Sequence, residues 1–162
     1  MYKDVTKMLS DRGVSLREIA QVVLQIQKGY YPELTEEECL ASVEDVIKKR
    51  EVKQAILTGV ALDVLAEQQK LPEPLQSIVA KDDFLFGVDE IVALSITNVY
   101  GSIGLTNFGY LDKTKPLIIG KLNAHKGGHC HTFLDDLVSA VAAAAASRIA
   151  HSRRPSENGE EG

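Results

Sequence analysis

Apolar residues recur at helical spacing along most of the chain, and polar capping signals punctuate them. Ser15-Leu16-Arg17-Glu18 is a capping box, and Ile19, Val22, Val23 and Ile26 follow it three or four residues apart. Gly29 and Tyr30-Tyr31-Pro32 close that segment, which predicts a helix over 15–28. Thr35 to Glu38 is a second capping box with three acids where the helix dipole favours them, and Leu40, Val43 and Ile47 carry a helix over 36–49. A third helix, over 52–69, carries Ile56, Val60, Leu62, Val64 and Leu65. Pro72 and Pro74 break it, and a short helix can restart near Glu73.

Asp82-Asp83 reads as a polar hinge before a long apolar segment, Phe84 to Tyr100, with a helix over 88–100. Gly101, Gly104 and Gly109 mark an irregular stretch. Pro116 suits the first turn of a helix over 116–124 that carries Leu117, Ile118, Ile119 and Leu122. After a Gly127-Gly128 loop, the last helix covers 133–151, and its run Ala142 to Ala146 allows close approach of a neighbour. No Asn-Gly or Asp-Gly hairpin separates alternating runs, and no solenoid repeat is visible. The pattern predicts an all-α fold: a single-domain helical bundle of six to eight helices over 1–151, with a polar tail over 152–162. The apolar segments 84–100 and 133–150 are the expected central helices.

Composition narrows the function. Eighteen basic against 23 acidic residues give a net charge of −5 in 162 residues, with 44% hydrophobic and 25% charged. That balance excludes wholesale disorder and argues against a nucleic-acid partner, which calls for a basic stripe. Two cysteines, Cys39 and Cys130, make no disulfide framework, so a reduced, cytoplasmic setting is expected. The start, MYKDVTKMLSDRG, has no secretory apolar core. No run reaches the roughly 18 apolar residues that a membrane-spanning helix needs. Leu137 to Ala150 comes nearest and is interrupted by Arg148. The expectation is a soluble protein with no transmembrane segment.

Two acid pairs, Asp89-Glu90 and Asp135-Asp136, open apolar segments. Burying carboxylates without a partner is costly, and a hard divalent cation with oxygen ligands removes that cost. Neighbours on a helix point about 100° apart, so one member of each pair faces a given ion. The ordinary alternative is that first-turn acids complement the dipole, and Thr132 with Asp135 resembles a capping box. Asp112, Lys113, Lys115 and Pro116 form a third cluster: a lysine ahead of a helix start suits phosphate, although charged loops are common. His125, His129, Cys130 and His131 lie beside Gly127-Gly128 in no standard zinc spacing, and read as an exposed loop or as part of a phosphate site. Gly101-Ser102-Ile103-Gly104 lacks the Gly-Lys-Ser/Thr ending of a P-loop. The helix pair 15–50 opens its second helix with three Glu residues, unlike a DNA-reading helix-turn-helix.

Taken in order, Asp89-Glu90, Leu111-Asp112-x-x-Lys115-Pro116, His125-x-Gly127-Gly128 and Asp135-Asp136 ahead of an Ala-rich helix resemble the phosphatidylglycerophosphatase A family. The Gly/Pro-rich N-terminal motif and spanning helices of membrane-embedded members have no counterpart here, so the chain resembles the soluble branch of Gram-positive bacteria. The resemblance implies an all-helical bundle around a central helix and Mg²⁺- or Mn²⁺-dependent removal of phosphate from phosphatidylglycerophosphate or a related ester. Asp89, Glu90, Asp112, Asp135 and Asp136 would then hold metal or activate water. Lys115, with His125, Gly127 and Gly128, would bind the substrate. Its partners would be a phosphorylated lipid or small phosphate ester, with peripheral membrane contact and a homo-oligomeric state expected. The alternative is a non-catalytic helical protein that keeps the family core as an oligomeric regulatory or ligand-binding module.

Overall fold

The computed structural model describes residues 1–124 and 127–153. These residues form nine α-helices and no strand: α1 Tyr2–Asp11, α2 Leu16–Gln27, α3 Glu36–Lys48, α4 Arg50–Glu67, α5 Leu75–Lys81, α6 Val88–Thr97, α7 Gly101–Thr114, α8 Ile118–Asn123 and α9 Leu134–Ser152. Both predicted capping boxes form, with Ser15 and Glu18, and Thr35 and Glu38, exchanging side-chain and backbone hydrogen bonds. The all-α expectation holds. The helix count exceeds the expected range because α1 and α7 escaped the sequence reading.

Helix α9 is the axis. Every residue from Leu134 to Ser147 is buried, and α2, α3, α4, α6, α7 and α8 all pack on it. Five consecutive alanines supply helix propensity and a thin cross-section, so neighbours approach on all sides. The approach is closest at Gly59 of α4, where a Cβ would stand 2.6 Å from Leu137 Cδ1 and 3.0 Å from Phe133 Cβ. Polar side chains also tie the bundle to this axis: Gln27 Nε2 donates to the Ala146 carbonyl at 3.0 Å, and Ser42 Oγ to that of Ala145 at 3.0 Å.

The second expected central segment, 84–100, is not central. Phe84, Leu85, Val88, Ile91 and Val99 are exposed, and only Ala93, Ile96 and Thr97 of α6 are buried. The glycine-marked stretch after it is not irregular. It forms α7, which buries Gly104, Phe108 and Leu111 at spacings of four and three. Gly104 lets α7 fold back on the end of α6, because a Cβ there would sit 3.2 Å from the Thr97 carbonyl oxygen and 3.3 Å from Tyr100 Cβ. Val88–Thr114 is, by length and composition only, apolar enough to cross a membrane. Its backbone breaks at Gly101, at φ +71° and ψ −158°.

Candidate functional site

Three helix ends carry the acids predicted from sequence, and the fold brings them together. Asp89 and Glu90 open α6, Asp112 lies in the last turn of α7, and Asp135 and Asp136 open α9. Lys115 links two of these elements: its Nζ donates to Asp112 Oδ1 at 3.0 Å and to Asp135 Oδ2 at 3.4 Å. Asp89 lies close enough to Asp136, and Glu90 to Asp112, for their carboxyl groups to act on one another. Asp135 and Asp136 form the floor, each 4% exposed. Glu90 is exposed, and Asp112 and Lys115 are half-buried, so the cluster opens to solvent on that side.

The electrostatics follow from this placement. Burial, and then the charges of Asp135, Asp89 and Asp112, push the Asp136 carboxyl up to about 9. Burial raises Asp135 to about 6 against the pull of Lys115. Asp89 and Glu90 are also raised, chiefly by burial. Burial alone would lower Lys115, but Asp135 and Asp112 more than offset it and hold the ammonium charged. Among the described residues, the Lys115 ammonium therefore faces several carboxylates.

The sequence placed Lys115 just ahead of a helix start. The structure instead puts it at the end of α7, in a left-handed conformation at φ +44°, with its N–H bonded to the Leu111 carbonyl at 2.8 Å. Its backbone offers no free donor to phosphate, so any role rests on its side chain. A close approach fixes it there: a Cβ at Gly120 of α8 would lie 2.6 Å from the Lys115 carbonyl oxygen. The expected Thr132–Asp135 capping box is also absent, since Thr132 Oγ1 donates to the Val79 carbonyl at 2.6 Å.

Asp63, near the C-terminal end of α4, caps α9 instead. Its carboxylate accepts the Phe133 N–H at 3.0 and 3.3 Å and the Leu134 N–H at 3.0 Å. Asp63 is fully buried, and burial lifts its carboxyl to about 7 against these bonds. Sequence reasoning passed over it, although an acid inside the apolar run Gly59–Ala66 was its signal. Asp82 was also missed, having been read as a hinge; its charge acts on Asp89 and Asp135.

The loop before α9 is anchored rather than an exposed excursion. Arg12, just past the end of α1, pairs with Glu67 of α4 and donates to the Cys130 carbonyl at 2.7 Å, while Glu67 accepts the Cys130 N–H at 2.6 Å. Cys130 and His131 are buried, and His131 Nδ1 lies 3.0 Å from the Leu122 carbonyl oxygen. His129 is exposed and stacks on His131 with ring centroids 5.8 Å apart. Gly127 and Gly128 take left-handed φ values of +77° and +75°, with space around both. His125, expected to bind substrate, lies outside the described residues. An open cavity of about 460 Å³, bordered by Glu67, Gln76, Lys81, Asp82, Gly128 and His129, adjoins the acid cluster through Asp82.

The acids suit a hard divalent cation in kind, since all are oxygen donors, and among the described residues Lys115 is the one base bonded to them. The Lys115 ammonium already stands between Asp112 and Asp135 as a cation would. Among the described residues no three His, Cys, Asp or Glu side chains are already arranged as a cage. Ion binding therefore calls for side-chain movement.

A family model described as phosphatidylglycerophosphatase A matches residues 12–151. The chain is 56% identical over 149 residues to a Bacillus subtilis (strain 168) protein, "Uncharacterized protein YutG", covering 92% of this chain and 90% of the other. A solved structure described as a protein of unknown function from Bacillus stearothermophilus superposes with a TM-score of 0.93 at 55% identity, covering 95% of this chain and 96% of that one. The low temperature requirement C protein of Listeria monocytogenes superposes with a TM-score of 0.91 at 56% identity, covering 93% and 95%.

Proposed function

The chain belongs to the phosphatidylglycerophosphatase A family, and on that premise we propose that it is a Mg²⁺- or Mn²⁺-dependent phosphatase acting on phosphatidylglycerophosphate or a closely related phosphate monoester. The supporting observation is the meeting of acids from three helix ends, α6, α7 and α9, around the single ammonium of Lys115. Asp89, Glu90, Asp112, Asp135 and Asp136 would hold the ion, which when bound supplies positive charge to the phosphoryl oxygens and acidifies a coordinated water.

The residues of the chain then have distinct tasks. The Lys115 side chain exchanges a carboxylate partner for a phosphate oxygen and holds the group in place. The neighbouring Asp89 and Asp136 carboxyls orient a water in line with the ester bond, and Asp89 accepts its proton. The water oxygen bonds to phosphorus as the bond to the alcohol oxygen breaks, and the departing alkoxide takes up the proton that the water gave to the carboxylate. The buried floor keeps bulk water from screening these charges. The test is Mg²⁺-dependent phosphate release from a panel of phosphorylated lipids and metabolites, with Asp136→Asn as control. No release from any substrate, or equal release by Asp136→Asn, overturns the reading.

A second reading, a non-catalytic oligomeric module, draws on the outer faces of α6 and α7. From Ile91 to Leu111 the chain has no ionisable acid or base apart from the tyrosines, and Ile91, Val99 and Leu105 are exposed. Such a face suits a second copy of the chain.

A further inference from the structure

We infer that the open cavity beside the acid cluster receives the alcohol half of the substrate, and that this alcohol is a compact, uncharged polyol with neither acyl chains nor a second anion. The inference rests on the phosphatase reading above and narrows the monoester it names. The cavity holds about 460 Å³, within the roughly 300–1,000 Å³ of small-molecule sites. Asp82 joins it to the chemistry: it borders the cavity, and its charge acts on Asp89 and Asp135 in the cluster. A monoester whose phosphoryl group meets Lys115 beside Asp135 can place its alcohol past Asp82.

The lining selects what enters. Among the described residues on the border, the apolar side chains are Ala66 and Ala80, with the Cys130 thiol beside them, so an acyl chain finds little apolar wall. Part of the wall is fixed by bonds to backbone. Gln76 Nε2 donates to the Ala66 carbonyl at 2.9 Å and Oε1 accepts the Leu71 N–H at 3.1 Å, while Glu67 engages Arg12 and the Cys130 N–H. The exposed Gln69 amide and Lys81 ammonium form no hydrogen bond with a described residue. His129 sets Nδ1 3.7 Å from Glu67 Oε1, which leaves Nε2 for a ligand. An amide, an imidazole and an ammonium on one border offer donors and acceptors together, as a row of hydroxyls requires.

The charges on the border cancel. Glu67 pairs with Arg12, and Lys81 and Asp82 are chain neighbours of opposite sign, so among the described residues neither sign prevails. A phosphatidyl group would bring a second anion as well as two acyl chains, and the cavity matches neither. Backbone strain gathers at the same place. Four described residues other than glycine have left-handed φ: Gln69 at +56°, Asp82 at +51°, Lys115 at +44° and Leu117 at +52°. The first two border the cavity and the third stands in the acid cluster; such conformations persist where the surroundings impose them.

The experiment compares kcat/KM in Mg²⁺ for three polyol phosphates (glycerol 1-phosphate, ribitol 5-phosphate and sorbitol 6-phosphate), acetyl phosphate and micellar phosphatidylglycerophosphate. It uses the full chain, Ala80→Phe and Gln69→Ala/His129→Ala. Ala80 is exposed, so a phenylalanine there intrudes on the cavity and not on the core. Wild type should favour the best polyol phosphate over both other esters by about tenfold or more. Ala80→Phe should cut the ratio of polyol phosphate to acetyl phosphate about tenfold, chiefly through KM, and melt like the parent. Should it melt lower, Gln69→Ala/His129→Ala, which adds no bulk, decides the same ratio. A preference for phosphatidylglycerophosphate, or a ratio that neither variant moves, overturns the inference and leaves the phosphatase reading standing. If wild type releases phosphate from no ester, calorimetry with the same polyol phosphates gives a readout without turnover. Binding that Ala80→Phe weakens about tenfold then keeps the cavity as a polyol phosphate site and removes the phosphatase reading; no binding overturns both.

Discussion

Replacing Asp63 with alanine should destabilise the protein by about 3 kcal/mol, with its effect concentrated on the first turn of α9. The carboxylate accepts the N–H groups of Phe133 and Leu134, and both residues are fully buried, so no water can take its place. A buried donor left without a partner costs about 1–3 kcal/mol, so two cost roughly 2–6. The opposing effect is relief from burying the carboxylate itself, which lifted its pKa to about 7. At about 2–4 °C per kcal/mol for a chain of this size, the melting temperature should fall by roughly 6–12 °C. Thermal melts followed by circular dichroism measure this directly. A change under about 2 °C would refute the assignment of Asp63 as the cap of α9.

Asp63→Asn separates the cap from its charge. The amide oxygen still accepts N–H groups, so at pH 5 the loss should be at most about 1 kcal/mol. The wild-type carboxyl is raised in the folded state, so the folded protein holds a proton that the unfolded chain has released. Its stabilising share is complete below pH 4 and is lost as pH rises toward about 7. The asparagine chain lacks that loss, and the gap between it and wild type should narrow or invert by pH 8. A constant gap across the range would mean that Asp63 titrates normally.

Other outcomes follow from the cluster. Asp136 and Asp135 are raised in the same sense, so without divalent ions the melting temperature should decline from pH 5 to pH 9; millimolar Mg²⁺ should flatten the decline, and identical melts with and without it count against an ion site. Lys115→Ala should cost on the order of a hundredfold in turnover; equal turnover on a working substrate removes its role in holding phosphate. Gly120→Ala pushes a methyl to within 2.6 Å of the Lys115 carbonyl oxygen, so it should lower turnover and cost about 1–3 kcal/mol; an unchanged melt and rate would show that the turn yields freely. Leu105→Lys on α7 should leave sedimentation unchanged unless the outer face of α6 and α7 joins two copies, in which case the dimer should weaken.

What the sequence disclosed depended on whether the controlling interaction was local. Helices α2 and α3 were readable to within a residue or two because their starts are set by capping boxes four residues long. The acids that gather at the site were readable as residue types in order, and their resemblance to a family supplied the expectation that they meet. Helix α7 was hidden because Gly101, Gly104 and Gly109 ordinarily break helices, yet Gly104 is required where α7 folds against Thr97 and Tyr100. Segment 84–100 looked central because hydropathy measures what a face prefers to contact, not whether the chain itself supplies the contact. Its exposed side chains are where the protein leaves that preference unmet.

The same distinction decides which site residues were missed. Asp63 lies 70 residues from the backbone it caps, and no local pattern joins α4 to the start of α9. Asp82 reads as a hinge until α5 and α6 turn it toward Asp89 and Asp135. Lys115 was named for the N–H groups of a following helix, but its own N–H is spent on Leu111, and its side chain alone reaches the acids. The sequence therefore identified the charged groups, while the long-range packing of α4, α8 and α9 fixed their spacing. Substitutions at Asp63 and Gly120 should consequently disturb the site although neither residue is placed to touch a substrate.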